Sequence, residues 1–348
     1  MIKPKVLHVA CLDKFIPPFI DFVEVQKIGD GHLFCISGDE SRFPVNTKMG
    51  VMRLTSLALF VKGLPRFVRS MNCSGKIILH GLFDWKVLIL LFLQPWILKK
   101  CYWVIWGGDL YAYEGRVKSW RWRIKEFLRR PVIKNLGHLV TFVPGDVELA
   151  RRWYGAKGRY HECFMYLSNV YYDRNILSAK HCSVNIQVGN SADPSNEHIE
   201  ILTRLAKFAG EDIKIYAPLS YGGDAYAKDV VTAGKNLFGE KFIPLLGFMA
   251  FEDYLAFLAS IDVAVFNHRR QQAMGNTISL LGMGKKVYLR EDVSTWDVFK
   301  RRGIEAYSLS DLSLTTLDAD IASRNRALVL KEFSEEALKM QLTNIFKD

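Results

Sequence analysis

The 348-residue sequence lacks the features that mark several common classes of protein. Its six cysteines are scattered, with no C-x-x-C pair and no Cys/His cluster, which favours reduced thiols over disulfides or zinc. There is no internal repeat or low-complexity tract. The N-terminus shows no secretory signal pattern, because Met1–Lys5 leads directly into a strand-like run.

Acidic residues and long apolar runs are also scarce. The 36 acidic residues face 47 basic ones, and the formal net charge of +11 indicates an anionic partner. We expect no nucleic acid, since no zinc finger, RRM signature or heptad-linked basic region is present. The longest apolar run, Val87–Leu98, is shorter than the about 20 residues that span a bilayer, and Gln94-Pro95 interrupts it.

Strand-like and helical segments alternate along both halves of the chain. The pattern predicts an α/β fold with parallel sheets in two domains, and ligands in the loops that follow the strands. We expect an N-terminal domain over 1–175 and a C-terminal domain over 183–330. A C-terminal helix over 331–348 can pack back on the N-terminal domain.

Three loops of the first half carry candidate catalytic residues. Asp13 follows the first strand, His80 ends the strand Lys76–His80, and Asp109 follows two glycines after the strand Cys101–Ile105. Asp109 is placed either as a general base or as a helix cap. His80 is either a catalytic residue or a hydrogen-bonded packing histidine.

Two loops of the second half predict a diphosphate site. Gly189–His198 joins a buried strand to a helix, where free backbone N–H groups and the helix dipole favour an anion, although Ser195 or Asn196 can also serve as a helix cap. In the second loop, Arg269 and Arg270 precede Gly275 at a helix start, which suits a diphosphate. The alternative is a basic surface loop. None of these five loops contains an Asp-x-Asp pair, so we predict no metal.

The segment Arg116–Arg130 is rich in basic and aromatic residues. Its pattern predicts a helix that lies on an anionic membrane, and the alternative is a core helix with a solvated basic face. The predicted membrane-facing residues are Trp120, Arg121, Trp122, Arg123, Lys125 and Phe127.

The loop motifs together resemble glycosyltransferase family 56. They are His80-Gly81-x-Phe83, Trp106-Gly-x-Asp109-Leu-Tyr111, Gly189-Asn190-Ser191 with Ser195–Ile199, and Arg270-Gln271-Gln272-x-x-Gly275, in order between His8 and Gly303. The resemblance implies a GT-B-like fold: two Rossmann-like domains whose parallel sheets face each other across a cleft, with no metal and no cofactor. It also implies that the N-terminal domain, 1–175, binds the acceptor and that the C-terminal domain, 183–330, binds the nucleotide sugar.

The same resemblance implies a reaction. A deoxyamino sugar such as 4-acetamido-4,6-dideoxygalactose (Fuc4NAc) passes from a dTDP- or UDP-sugar to an undecaprenyl-diphosphate-linked glycan, as in enterobacterial common antigen synthesis. The enzyme would be peripheral at the cytoplasmic face of the bacterial inner membrane. Asp109 and His80 would face the reacting sugar, with Asp13 as a further catalytic candidate. The implied donor-binding residues are Gly189, Asn190, Ser191, Asn196, His198, Arg269, Arg270, Gln271, Gly275, Asn276 and Thr277.

Three departures from the family pattern leave the sugar and the acceptor open. Ala192 and Ala273 stand where glycine is expected, and Gly81–Asp84 replaces Gly-Gln-Phe-Asn. Two other functions remain: a nucleotide-sugar epimerase of GT-B form, and a non-catalytic membrane-associated sugar-nucleotide-binding protein. The basic Trp-rich segment favours the transferase, because an epimerase with soluble substrates needs no membrane.

Overall fold

The structure is a computed structural model that describes residues 4–114, 120–174, 176 and 181–347. The chain divides into two compact units, Met1–Asn169 with Glu335–Asp348, and Val170–Ser334. The first unit therefore breaks off at Asn169 rather than at 175, and its C-terminal part begins at Glu335 rather than at 331.

The first unit is built on a parallel sheet. Its strands within the described residues are β1 Val6–Cys11, β2 His32–Ser37, β3 Gly50–Arg53, β4 Lys76–His80, β5 Cys101–Val104, β6 His138–Val140 and β7 Arg159–His161, in the order β3-β2-β1-β4-β5-β6-β7. The helices before the crossover to the second unit are α1 Ile16–Val25, α2 Leu57–Cys73, α3 Trp85–Leu93, α4 Gly107–Leu110, α5 Trp120–Asn135 and α6 Pro144–Tyr154.

The central strands of this sheet are apolar because they are buried on both faces. Leu7, Ile77 and Trp103 have no exposed surface and share one core. Helix α3 begins after Asp84, whose Oδ1 accepts the Lys86 N–H at 2.8 Å. It ends at Leu93, within the apolar run Val87–Leu98, because Pro95 cannot continue the α-helix and the chain forms a 3₁₀ helix over Pro95–Lys100.

The second unit repeats the plan. Its strands are β8 Val184–Val188, β9 Ile213–Pro218, β10 Phe242–Leu245, β11 Val263–Phe266, β12 Lys286–Leu289 and β13 Tyr307–Ser308, parallel and ordered β10-β9-β8-β11-β12-β13. Its helices are α7 His198–Leu205, α8 Asp224–Phe238, α9 Phe251–Ala259, α10 Met274–Gly282, α11 Ser294–Arg301 and α12 Ala319–Glu332. A separate core fills this unit, with Ile186, Ile215 and Val265 fully buried.

The last helix, α13 Glu335–Lys347, belongs to the first unit. Lys76 Nζ donates to the carbonyl of Ile345 at 2.6 Å, and the N–H of Phe164 donates to Gln341 Oε1 at 3.1 Å. The ring of Phe346 packs edge-on against His32. The helix therefore contributes side chains to the core of the N-terminal sheet.

Candidate functional site

Three predicted catalytic residues lie at one edge of the first sheet. Asp13, His80 and Asp109 occur at or after the carboxyl ends of β1, β4 and β5, which are neighbours in the sheet. The sheet topology brings these three loops together, yet the three side chains have very different surroundings.

The carboxylate of Asp109 is buried and fully engaged. Its Oδ2 accepts the Leu82 N–H at 2.9 Å and the Trp103 indole N–H at 2.7 Å, while Oδ1 accepts the Trp106 N–H at 2.9 Å. Burial raises the pKa of Asp109 to about 6, and the nearby Arg129 guanidinium and these hydrogen bonds oppose the rise. This geometry favours the capping interpretation: Asp109 fixes the loops after β4 and β5.

His80 belongs to a buried chain of three imidazoles. The carbonyl of Ile28 accepts only, so His32 Nε2 carries a hydrogen and donates across 2.8 Å. His32 Nδ1 must then accept from His8 Nε2 at 2.9 Å, and His8 Nδ1 must accept from His80 Nε2 at 3.1 Å.

The chain ends at a tyrosine hydroxyl. Tyr166 donates to His80 Nδ1 at 2.7 Å and accepts the Trp106 indole N–H at 3.1 Å. Burial lowers the pKa of His80 to about 3, so the ring stays neutral. Because both of its nitrogens are bonded inside the fold, the geometry favours the packing interpretation for His80 over direct contact with a sugar.

Asp13 differs from the other two because it is only partly buried. Its Oδ1 accepts the N–H groups of Phe15 at 2.8 Å and Ile16 at 3.2 Å, at the start of α1. Among the described residues, no hydrogen bond to Oδ2 is found. Burial raises the pKa of Asp13, although the same two N–H groups and Lys14 oppose the rise. Phe15 places its ring edge-on to Trp106, 5.5 Å away, so Asp13 adjoins an aromatic surface.

The first predicted donor loop is held by Asn196. Its Oδ1 accepts the Asn190 N–H at 2.9 Å and pairs with His268 Nε2 at 2.9 Å. Gly189 has φ +64°, and a Cβ there would lie 2.3 Å from His198 Nε2, so this position requires glycine. Asn196 therefore shapes the loop rather than capping α7, and Asp193 caps the short 3₁₀ turn before it.

Gln272 connects the two donor loops. Its Nε2 donates to Asn190 Oδ1 and to Ser191 Oγ, each at 3.1 Å, and its Oε1 accepts from Ser195 Oγ at 2.9 Å. Gln271 lies half-buried in the same loop. Gln272 was missed as a site residue, and the only sequence signal for it was its place in the Arg270-Gln271-Gln272 motif.

Both arginines of the second loop pair with acids of the first. Arg270 Nη2 lies 3.1 Å from Asp193 Oδ2, and Arg269 Nε lies 2.8 Å from Glu197 Oε1. Burial would raise the pKa of Asp193, but hydrogen bonds from Ser195 and, after them, the pair with Arg270 hold it below its usual value.

Helix α10 starts beside these arginines. Gly275, Asn276 and Thr277 form its first turn, and Thr277 Oγ1 donates to the carbonyl of Ala273 at 3.0 Å. Ala273 has φ +56°, a left-handed conformation that explains the glycine expected there. Ala192, the other departure, has no positive φ and needs no glycine.

The predicted membrane residues lie on α5, but Arg116–Ser119 and the side chain of Arg121 are outside the described residues. Trp120, Ile124 and Phe127 are exposed apolar side chains, and Arg123 and Lys125 are exposed as well. Trp122 is half-buried and donates its indole N–H to the Ala112 carbonyl at 3.0 Å, so it faces the fold rather than a membrane.

The apolar surface continues beyond α5. Phe127 lies 5.9 Å from the ring of Phe92 on α3, and the exposed Leu93 and Trp96 follow at the end of that helix. We call Leu93, Trp96, Trp120, Ile124 and Phe127 the apolar patch. No helix among the described residues is long and apolar enough to cross a membrane.

In the part of the chain that the structure describes, no group of three or more His, Cys, Asp or Glu side chains could hold a metal ion. The one Asp-x-Asp pair of the sequence, Asp318 and Asp320, lies at the start of α12. There Asp318 caps the helix by accepting the Asp320 and Ile321 N–H groups.

Solved structures share this two-unit architecture. A glycosyltransferase from Rickettsia africae ESF-5 gives a TM-score of 0.69 at 14% identity, covering 99% of this chain and 98% of that one. Anabaena Alr3699/HepE in complex with UDP and glucose gives 0.66 at 14% identity, covering 98% and 99%. WaaG, a glycosyltransferase involved in lipopolysaccharide biosynthesis, gives 0.57 at 10% identity, covering 98% and 94%. The fold is that of the GT-B glycosyltransferases, as predicted.

The sequence also shows the family. Residues 54–333 match the family model described as "4-alpha-L-fucosyltransferase glycosyl transferase group 56", and the chain belongs to that family. The predicted glycosyltransferase activity is thereby confirmed over the epimerase and non-catalytic alternatives.

Proposed function

We propose that this glycosyltransferase moves a 6-deoxy sugar such as Fuc4NAc from a dTDP- or UDP-sugar to an undecaprenyl-diphosphate-linked glycan in bacterial surface polysaccharide synthesis of the enterobacterial common antigen type. The nucleotide-sugar part of this proposal rests on one observation. Gln272, in the loop after β11, hydrogen-bonds to Asn190 and Ser191 in the loop after β8. These strands are neighbours at the point where the sheet order reverses, which is where nucleotides bind in doubly wound sheets. The family description names a fucosyl group, which is also a 6-deoxyhexose.

The diphosphate of the nucleotide sugar would be held by hydrogen-bond donors of both the backbone and the side chains. The first turns of α7 and α10 offer free N–H groups, and Arg269 and Arg270 add positive charge. His198 Nε2 is buried beside Gly189 and lacks a hydrogen-bond partner among the described residues. Burial lowers the pKa of His198 to about 4, so a neutral ring would donate that N–H to a phosphate oxygen.

Asp13 is the best-placed general base in the first unit. The side chains of Asp109 and His80 are engaged in hydrogen bonds inside the fold. The side chain of Asp13 is partly exposed and has a raised pKa. It would take the proton of the acceptor hydroxyl as that oxygen bonds to the anomeric carbon and the bond to the leaving diphosphate breaks. The arginines and helix N-termini of the donor site would stabilise the departing charge.

The apolar patch and its basic neighbours would place the enzyme at the cytoplasmic face of the bacterial inner membrane as a peripheral protein. Exposed Trp and Phe side chains beside Arg123 and Lys125 suit the interface of an anionic bilayer. A polyprenyl-diphosphate acceptor stays in the bilayer, so docking on the surface would bring the enzyme to its substrate.

Transfer assays test the proposal. Purified enzyme is incubated with dTDP- and UDP-linked sugars and a polyprenyl-diphosphate disaccharide in anionic vesicles, and glycolipid products are detected by mass spectrometry. We expect transfer from a nucleotide 6-deoxy sugar and little from glucose donors. Transfer only to water-soluble acceptors, or only from donors other than 6-deoxy sugars, would contradict it.

A further inference from the structure

Two exposed aromatic rings lie beside the donor loops without a role in the function described above. Tyr221 follows β9 and Phe248 follows β10, at the same sheet edge as the donor loops. Their rings are nearly parallel, with an interplanar angle of 13° and centroids 6.4 Å apart. Tyr221 is 43% exposed and Phe248 is 73% exposed.

Tyr221 is anchored to the first donor loop. Its carbonyl accepts the Ala192 N–H at 2.7 Å, and its hydroxyl accepts from Asn190 Nδ2 at 2.8 Å. Gly222, the next residue, has φ +123°, and a Cβ there would lie 2.4 Å from the Ala192 carbonyl carbon. The close backbone contact fixes the tyrosine ring relative to the residues assigned to the diphosphate.

Phe248 is less constrained than Tyr221. It lies in the loop between β10 and α9, and Gly247 before it has open space around its Cβ position. A flat ring that contacts both aromatic faces at about 3.5 Å needs about 7 Å between them. Since the centroids are 6.4 Å apart, a small outward movement of Phe248 makes that room.

We infer that Tyr221 and Phe248 clamp the nucleobase of the donor between their rings. Two near-parallel aromatic faces fit a planar heterocycle, whereas the puckered ring of a sugar cannot contact both faces evenly. The hydrogen bond from Asn190 to Tyr221 places the clamp next to the diphosphate loop. This inference rests on the proposed function of the second unit as the donor site.

Calorimetric titration of the full chain with dTDP, UDP and inorganic pyrophosphate tests the clamp. Phe248→Ala should weaken dTDP and UDP binding about 10- to 100-fold, the range found for aromatic stacking on a base, and leave pyrophosphate binding within about twofold. Phe248→Tyr keeps a flat ring and should retain the affinity. Leu246→Ala, an exposed apolar change in the same loop, is the matched control.

The outcomes separate the inference from the function beneath it. Wild-type dTDP affinity in the Phe248→Ala protein, or an equal loss for dTDP and pyrophosphate, overturns the clamp while the donor site stands. If the unaltered protein binds neither nucleotide, the proposed donor function is wrong and the clamp falls with it.

Discussion

His80 and His8 share a hydrogen bond of 3.1 Å in the interior of the first unit, between the carboxyl end of β4 and the middle of β1. This bond makes His80 a positioning residue for Tyr166 and, through it, for the indole of Trp106. A change at His80 would therefore reach the site by moving Trp106 and not by removing a proton acceptor.

The buried histidines predict a loss of stability in acid. Burial holds the pKa of His80 and of His268 to about 3 and that of His8 well below its ordinary value, so the folded protein keeps these rings neutral. Unfolding exposes them to protonation near pH 6.5, so the unfolded state binds more protons below that pH. His80 and His268 should each lower the free energy of unfolding by about 2 kcal/mol between pH 7 and pH 5, and His8 acts in the same direction.

Asp109 works in the opposite direction. Its pKa of about 6 in the folded protein lies above the value in the unfolded chain. Lowering the pH from 7 to 5 therefore adds about 1 kcal/mol to the free energy of unfolding. The net effect remains a loss, measurable as a falling urea midpoint by tryptophan fluorescence. His268→Gln keeps an amide donor for Asn196 without a titrating group and should flatten the slope. A midpoint that is constant or rises from pH 7 to pH 5 would contradict this account.

Arg270→Ala should weaken nucleotide binding by more than the loss of one contact to phosphate would. It removes a charge-assisted donor, and it leaves the Asp193 carboxylate unpaired beside the incoming diphosphate. For the wild-type protein, dTDP at 100 times its dissociation constant should raise the free energy of unfolding by about 2.7 kcal/mol. The variant should need about 10- to 100-fold more ligand for the same thermal shift.

Arg324→Ala is the matched control for Arg270→Ala. It breaks an exposed ion pair with Glu305, and both residues lie outside the two donor loops. Equal thermal shifts for wild type and Arg270→Ala would remove Arg270 from the donor site. In the otherwise unaltered protein, Gly189→Ala should abolish the thermal shift caused by dTDP, because the alanine Cβ would collide with His198.

Transfer should proceed without a divalent metal. Arg269, Arg270 and the first turn of α10 supply the positive charge that a bridging cation provides in other transferases. We expect unchanged initial rates in EDTA. A rate abolished by EDTA and restored by magnesium or manganese would show that a metal neutralises the leaving group.

The buried strands were the part of the fold that the sequence predicted best, because a parallel strand covered on both faces is a continuous apolar run. The strand Lys76–His80 has its predicted bounds, and the strand predicted over Cys101–Ile105 ends one residue earlier, at Val104. Helix α1 was not predicted; it carries Pro17-Pro18 in its first turn, a position that proline suits. The helices α6 and α12 and the short edge strands β3, β7 and β13 were not predicted.

The candidate site was harder to read because its roles depend on partners distant in sequence. Asp109 and His80 stand out in their loops, but their hydrogen-bond partners Trp103 and Tyr166 decide what they do. Nothing in the local pattern around Tyr166 marks it, although Met165 before it has a left-handed φ of +55°. Tertiary hydrogen bonding, and not local pattern, separates a base from a cap here.

Membrane attachment should depend on the apolar patch as well as on charge. Trp96→Ser with Phe127→Ser removes exposed apolar area, and the protein should then sediment poorly with anionic vesicles. Reversing Arg121, Arg123 and Lys125 to Glu should also abolish binding, since each basic residue near the surface contributes about 1 kcal/mol. Both variants should bind dTDP normally.

Val25→Ser is the control for apolar area, because Val25 is exposed on α1 outside the patch. Binding of the unaltered protein should weaken as salt rises and be lower on neutral vesicles. Equal binding to neutral and anionic vesicles, or none to either, would exclude this surface as a membrane contact.

Asp13→Asn and Asp109→Asn should have opposite consequences. In the Asp13→Asn protein the amide oxygen can still accept the Phe15 N–H, so the fold should be retained while turnover falls about 10²–10⁴-fold for want of a base. In the Asp109→Asn protein the new NH₂ group would face hydrogen-bond donors, which should cost about 1–3 kcal/mol of stability. Turnover per folded molecule of that second variant should stay within about tenfold of wild type.

The pH profile separates these roles further. A base must be deprotonated to act, and burial raises the pKa of Asp13, so kcat/KM of the unaltered enzyme should fall on the acid side at a pH above the ordinary aspartate value. The residual activity of Asp13→Asn should lack that limb, while Asp109→Asn should keep it. If Asp109→Asn folds and loses the limb with most of its turnover, while Asp13→Asn remains active, Asp109 is the base. Its three hydrogen bonds would then have to rearrange when substrate binds.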